Sequence, residues 1–121
     1  MPLVANVYDR NCPSRTVVNV VASHWGSLVL GALLEGTLRF GELRRAVGGI
    51  SEKMLAQTLQ ALERNGLVHR EVHPVIPPHV DYTLTPMGVE VSRQVRGLFG
   101  WIQGNMAGIS AAQQAYDEAR G

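Results

Sequence analysis

Residues 40–70 read FGELRRAVGGISEKMLAQTLQALERNGLVHR. The pattern predicts a short helix, a tight turn at Gly48-Gly49 and a second helix, the outline of a helix-turn-helix. Ser51 has the chemistry of an N-cap, because its hydroxyl can accept from the free amides of the first turn. Gly66 stands just beyond the last apolar repeat, where a left-handed residue can close a helix. Between them Leu55, Leu59 and Leu62 recur at i, i+4, i+7 and share one stripe. Lys53, Gln57, Gln60 and Arg64 recur in the same way and, at about 100° per residue, lie opposite the leucines. Such a helix buries one side and offers two amides between two cations on the other. Glutamine can pair with adenine edges in a major groove, and lysine or arginine with guanine or phosphate. A plain solvated face has the same composition, so the neighbouring segments carry the decision.

Beyond Gly66 the period changes to two. Residues 67–73 and 80–84 read as strands, with Val80, Tyr82 and Leu84 alternating against Asp81 and Thr83. Pro74, Pro77 and Pro78 occupy the connection, where no ladder amide is required. A hairpin directly after a recognition helix is a wing, and its tip, 73–79, would lie beside a minor groove or a backbone. Upstream, Ser23 can cap a helix with Trp25, Leu28, Val29, Ala32 and Leu33 on its buried stripe, ended by Gly36. Residues 37–39 read as a connector. The valine-rich segment 15–22 fits a strand by propensity, but Pro13 is suited to the first position of a helix and a helical pattern follows, so helix is preferred. Thr85-Pro86 opens a long helix with Val91, Val95, Leu98 and Ile102 on its stripe. Gly100, Gly104 and Gly108 either permit close helix approach or weaken the helix. A break near Gly104 or Gly108 is expected, with Ser110 and Gln113 fitting the capping box of a last short helix.

The 121 residues are enough for one domain. With 45% hydrophobic and 17% charged residues, the chain should fold. A formal charge of +1 does not advertise a polyanionic partner, but its distribution matters more than its sum. In 39–70, Arg39, Arg44, Arg45, Lys53, Arg64 and Arg70 face three glutamates, a local charge of +3. No uninterrupted apolar run of about 18 residues exists and no leader pattern opens the chain. With one cysteine there is no intrachain disulfide framework, so a cytoplasmic location is expected. The chain lacks a glycine-rich phosphate loop, a nucleophile elbow and a clustered acid–base pair, so no enzyme and no cofactor are expected. His24, His69, His73 and His79 form no compact cluster with zinc spacing, and no metal is expected. His69 and His73, four apart, would share a strand face. Trp25, Phe40 and Phe99 are expected in the core rather than around a ligand.

Cys12-Pro13, His24-Trp25, Arg39-Phe40-x-Glu42-Leu43, Gly49-Ile50-Ser51, Leu55 with Leu59 and Leu62, Gly66-Leu67-Val68 and Pro77-Pro78-x-Val80-x-Tyr82-x-Leu84-Thr85 follow in one order over about residues 12–102. Together they resemble the HxlR-type winged helix-turn-helix regulators of bacteria, in the MarR-like superfamily. The resemblance implies a mostly α fold with a small β-hairpin wing. It implies a homodimer formed through the N- and C-terminal helices, and a palindromic operator in double-stranded DNA bound more often by a repressor than an activator. The chain then divides into an arm at 1–11, a winged domain with its dimerisation helix at 12–108, and a tail or short helix at 109–121. His24 departs from the family's usual lysine before the tryptophan, which would make a phosphate contact there weaker or pH-sensitive.

On this fold Lys53, Gln57 and Gln60 are the candidates for base edges, with Ser51 nearer the phosphates. Arg39, Arg44, Arg45 and Arg64 are candidates for phosphate contact, and Arg70 and His79 for the wing. Cys12 sits at a helix N-terminus with Arg10 and Arg15 nearby in sequence, and both features favour thiolate. Relatives that sense quinones, aldehydes or oxidants suggest a switch by sulfenate, mixed disulfide or a Cys12–Cys12 bridge. A chemically idle thiol is the alternative. Other readings are a small-molecule ligand at the dimer interface and a winged helix used only for protein contact.

Overall fold

Serine, threonine and proline at the helix starts decide where the elements of this chain begin. The computed structural model describes residues 5–121. The elements are α1 Pro13–Val21, α2 His24–Leu33, β1 Leu38–Arg39, α3 Phe40–Ala46, α4 Glu52–Arg64, β2 Val68–His73, β3 His79–Leu84, α5 Pro86–Gly104 and α6 Met106–Arg120. The hydroxyls of Ser23, Ser51 and Thr85 each accept from the backbone amide three residues on, and so cap α2, α4 and α5. Pro13 occupies the first turn of α1. Bracketed by Pro13 and the Ser23 cap, the valines of 15–22 form helix despite their strand propensity.

α2 runs through the middle. Val29, Leu30 and Leu33 are buried against Leu43 and Val47, Ile50, the leucines Leu55, Leu59 and Leu62 of α4, and Leu67 and Val68. Leu30 lies outside the stripe expected for α2 and is nevertheless fully buried. The helix is covered on more sides than one, because α5 also packs on it. There Arg96 Nε donates to the Gly31 carbonyl at 2.9 Å and its guanidinium pairs with Glu35.

Two expectations are corrected. Residues 37–39 are more than a connector: Leu38 and Arg39 form β1, which pairs antiparallel with β3 at Tyr82 and Asp81. The wing is therefore a three-stranded sheet in the order β1-β3-β2. A two-residue strand is too short to show a period. The second correction concerns Ser110, which lies within α6 and starts nothing. The expected break falls at Asn105, whose side-chain amide donates to the Trp101 carbonyl at 2.7 Å. Helix resumes at once and continues for 15 residues, none of them buried.

Of the arm at 1–11, residues 1–4 lie outside the described residues; the rest turns on itself, with Asp9 N on Asn6 O and Cys12 N on Asp9 O. Among the described residues no single helix is long and apolar enough to cross a membrane.

Candidate nucleic-acid interface

The turn between α3 and α4 depends on backbone that a side chain would strain. Gly49 has φ +86°, and the Trp25 ring stands 3.8 Å from the place its Cβ would take. Ile50 is buried next to it and anchors the turn. From Ser51 onward α4 holds Leu55, Leu59 and Leu62 inside, at 0–2% exposure. Its opposite face must then point outward, and Ser51, Lys53, Gln57, Gln60 and Arg64 are all exposed. At the other end Gly66 N bonds to Glu63 O and Leu67 N to Leu62 O, both at 3.0 Å. That is a Schellman closure. It sends the chain straight into β2 and sets the sheet beside the helix.

The exposed face of α4 is thereby framed. On one flank Gln57 borders a shallow groove shared with Asn19, Val20 and Ser23. On the other, Gln60 and Glu63 share a cleft with Arg70 and Tyr82 of the sheet. Arg70 is thus a neighbour of α4 rather than a residue of the wing tip. His79 is not brought to the same place. It pairs across the hairpin with His73, whereas Arg70 pairs with Tyr82. Positions an odd number apart point to opposite faces of a sheet, so His79 lies on the far side from Arg70.

The arginine candidates also divide. Arg44 Nη1 donates to Glu52 Oε1 at 3.1 Å across the turn, and Arg39 Nε lies 3.9 Å from Asp81 Oδ1. Among the described residues Arg45, Lys53, Arg64 and Arg70 have no carboxylate at ion-pair distance. The Arg44 pair is exposed on both sides and contributes little; in the Arg39 pair the carboxylate is partly buried.

Cys12 precedes α1 and is partly exposed. The Ser14 hydroxyl donates to its Sγ at 3.1 Å and the Asn6 backbone N–H at 3.4 Å. The Ser14 hydroxyl foremost, then the Asn6 and Ser14 backbone amides, hold the thiol below its ordinary value, against smaller opposing effects of desolvation and then of the Asp9 charge. The expected arginines are not the cause. Arg15 donates to the carbonyls of Val7 at 2.7 Å and Tyr8 at 3.0 Å, and Arg10 makes no contribution among the causes of the shift. What holds the thiol low is hydrogen bonding to sulfur from Ser14 in the first turn and from Asn6 in the arm.

One grouping was not anticipated. The hairpin carries His73 and His79 to stacked rings with centroids 4.7 Å apart. With Asp81 their ligand atoms all lie within 4.8 Å of one another. The sequence has no Cys/His cluster with zinc spacing, and this grouping comes from strand pairing instead. A histidine at each end of a proline-rich hairpin loop was the available signal, because cross-strand pairing joins residues that spacing rules keep apart.

Several apolar side chains are left outside on the other helices. They include Val17 and Val18 on α1, Leu98, Trp101 and Ile102 on α5, and Met106 and Tyr116 on α6. A Cβ added at Gly100, Gly104 or Gly108 would meet nothing within 4 Å.

Residues 20–109 match the family model described as HxlR-like helix-turn-helix. Over 108 residues the chain is 53% identical to the HTH-type transcriptional regulator YtfH of Escherichia coli strain K12, covering 89% of this chain and 86% of that protein. The solved structure of the transcriptional regulator ytfH from Salmonella typhimurium superposes with a TM-score of 0.87 at 50% identity, over 92% of this chain and 99% of that one. The redox regulator HypR in its oxidized form superposes with a TM-score of 0.71 at 34% identity, over 78% of this chain and 97% of HypR.

Proposed function

The chain belongs to the HxlR-like helix-turn-helix family of transcriptional regulators, and on that premise we propose that it binds a palindromic operator as a homodimer in the cytoplasm and represses transcription, with Cys12 as its switch. The observation that carries the DNA reading is the outward stripe of Lys53, Gln57, Gln60 and Arg64 over a fully buried row of leucines. Lys53, Gln57 and Gln60 read base edges, and Ser51 approaches the phosphate at the helix start. Arg45, Arg64 and Arg70 contact phosphate, joined by Arg44 and Arg39 once they leave their carboxylates. His79 reaches DNA only from the far face of the wing.

The dimer reading rests on the unburied helices. A 15-residue helix with no buried residue is marginal by itself in water. Packing the apolar parts of α1, α5 and α6 on a second copy supplies what it lacks. The repressor assignment follows the family resemblance.

The switch reading rests on the hydrogen bonds to Cys12 Sγ and on the likeness to HypR. With diamide, two thiols give two electrons and two protons to the N=N bond, leaving a disulfide and a hydrazine. The second thiol is the partner's Cys12 or a small cellular thiol. A second reading, control by a small apolar ligand, is favoured by the crevice of Val21, Val91, Val95 and Leu98 between α1 and α5.

A gel-shift with DNA from upstream of the protein's own gene, at stated salt, tests the core proposal. A retarded dimer complex is expected, with affinity falling steeply as salt rises. If the Lys53→Ala, Gln57→Ala double variant binds as wild type, the assigned face is wrong. If Cys12→Ser still releases DNA under diamide, the thiol is not the switch.

A further inference from the structure

The β2–β3 register sets His73 opposite His79 and Glu71 opposite Asp81. Directly paired residues, and residues two apart, share a sheet face. Two imidazoles and two carboxylates are therefore gathered on the side of the wing away from Arg70 and α4. His73 Nε2 is 3.0 Å from Asp81 Oδ2 and 3.9 Å from Glu71 Oε2. Yet that nitrogen is closed to solvent and makes no hydrogen bond of acceptable direction. It has a carboxylate at contact distance and no proton-sharing partner.

We propose that His73, His79 and Asp81 bind a divalent transition-metal ion of the zinc, cobalt, nickel or copper(II) class. Imidazole and carboxylate donors suit these ions rather than magnesium or calcium. At bond lengths of about 2.1 Å, tetrahedral ligand atoms stand about 3.4 Å apart. The present spread, within 4.8 Å, closes by small side-chain rotations. Asp81 offers Oδ2, because Oδ1 faces Arg39 at 3.9 Å. Glu71 or water completes the shell. The Arg39 charge opposes the cation, so the site is an exchangeable one. Its ligands stand at both ends of the loop 74–78, and a bound ion would staple the base of the wing tip. None of this depends on the DNA-binding proposal.

The test uses the untagged full chain, freed of metal by a chelator and kept reduced. Zinc is titrated against a chromogenic competitor near neutral pH, and cobalt(II) is followed by its visible absorption. One ion per chain is expected, with d–d bands and no sulfur-to-metal charge-transfer band. His73→Ala and His79→Ala should each weaken binding by at least about tenfold, while His69→Ala and Cys12→Ser leave it unchanged. Thermal melts of the variants guard against unfolding. Without any variant, substoichiometric copper(II) should selectively broaden the ring-proton resonances of His73 and His79. Binding that survives both alanine variants, a thiolate band lost in Cys12→Ser, broadening centred on His24 or His69, or no competition for zinc at micromolar concentrations would each overturn the site.

Discussion

α4 and α6 are helices of similar length, 13 and 15 residues, that treat the inside of the protein in opposite ways. α4 buries Leu55, Thr58, Leu59 and Leu62, whereas α6 buries nothing. α4 leaves outside the stripe of Lys53, Gln57, Gln60 and Arg64, flanked by Glu52, Met54 and Glu63; the large apolar side chains that α6 and the end of α5 leave outside are Trp101, Ile102, Met106 and Tyr116. α4 is a helix whose apolar row is covered within one chain, and in the proposed function its polar stripe meets DNA. The second is an apolar surface left uncovered in the single chain, which the proposed dimer would cover. A polar face in water has little to gain from burial, while each large apolar side chain brought out of water stabilises by roughly 1.5–3 kcal/mol. The two exposed surfaces therefore call for different partners.

The contrast breaks first at the core. Leu62 is fully buried within the cluster that joins α4 to α2, so Leu62→Ala should lower stability by about 2–5 kcal/mol in urea unfolding. Tyr116→Ala, on the exposed α6, should leave the stability of the dissociated chain near wild type. Equal losses from the two would mean that α6 has intrachain packing that its exposure denies.

The next effect concerns association. Trp101 is 60% exposed in the single chain, and Trp101→Ala should weaken dimerisation by about 2 kcal/mol or more, as interface tryptophans do, a change of roughly thirtyfold. Sedimentation equilibrium reads it directly. A dimer undisturbed by this change would move the interface elsewhere and leave the apolar surface without an explanation.

On the α4 side, Lys53→Ala should weaken operator binding by about 1–3 kcal/mol and relax preference at one base pair, if the lysine reads a base. Arg64→Ala should weaken all sequences alike and reduce the salt slope by about one. Finding both patterns reversed would exchange the roles of the two ends of the stripe without disturbing the face itself.

These regions differed in how far the sequence revealed them. α4 could be read nearly residue by residue, since its caps, leucine row and polar row are all local and share one period. The helices around it were legible for the same reason, down to the Thr85-Pro86 start of α5. What failed was non-local. β1 has two residues and exists only because β3 lies beside it. The pairing of Arg70 with α4, and of His73 with His79, is decided by strand register, which spacing along the chain does not encode. In α5 the stripe was identified correctly, but Leu98 and Ile102 at its far end meet solvent in the single chain. Periodicity tells which face is apolar, not whether the same chain supplies the cover.

The smallest effect is at Cys12, and it asks which of the two surfaces the thiol can influence. Cys12 leads into α1, which exposes Val17 and Val18 and also packs on α4, so chemistry there can reach either surface. The Ser14 hydroxyl is the main group holding the thiol below its ordinary value. A lowered value means more thiolate at neutral pH. The rate of iodoacetamide alkylation should therefore reach half its maximum at a lower pH than for an ordinary thiol. Ser14→Ala removes the donor and should move that midpoint upward. The variant then has less thiolate near neutrality and reaches its rate plateau only at higher pH. Arg15→Ala should shift the midpoint less, because its guanidinium is engaged by the Val7 and Tyr8 carbonyls. If the arginine variant gives the larger shift, charge rather than hydrogen bonding tunes the sulfur, and the sequence-based expectation for Cys12 is restored.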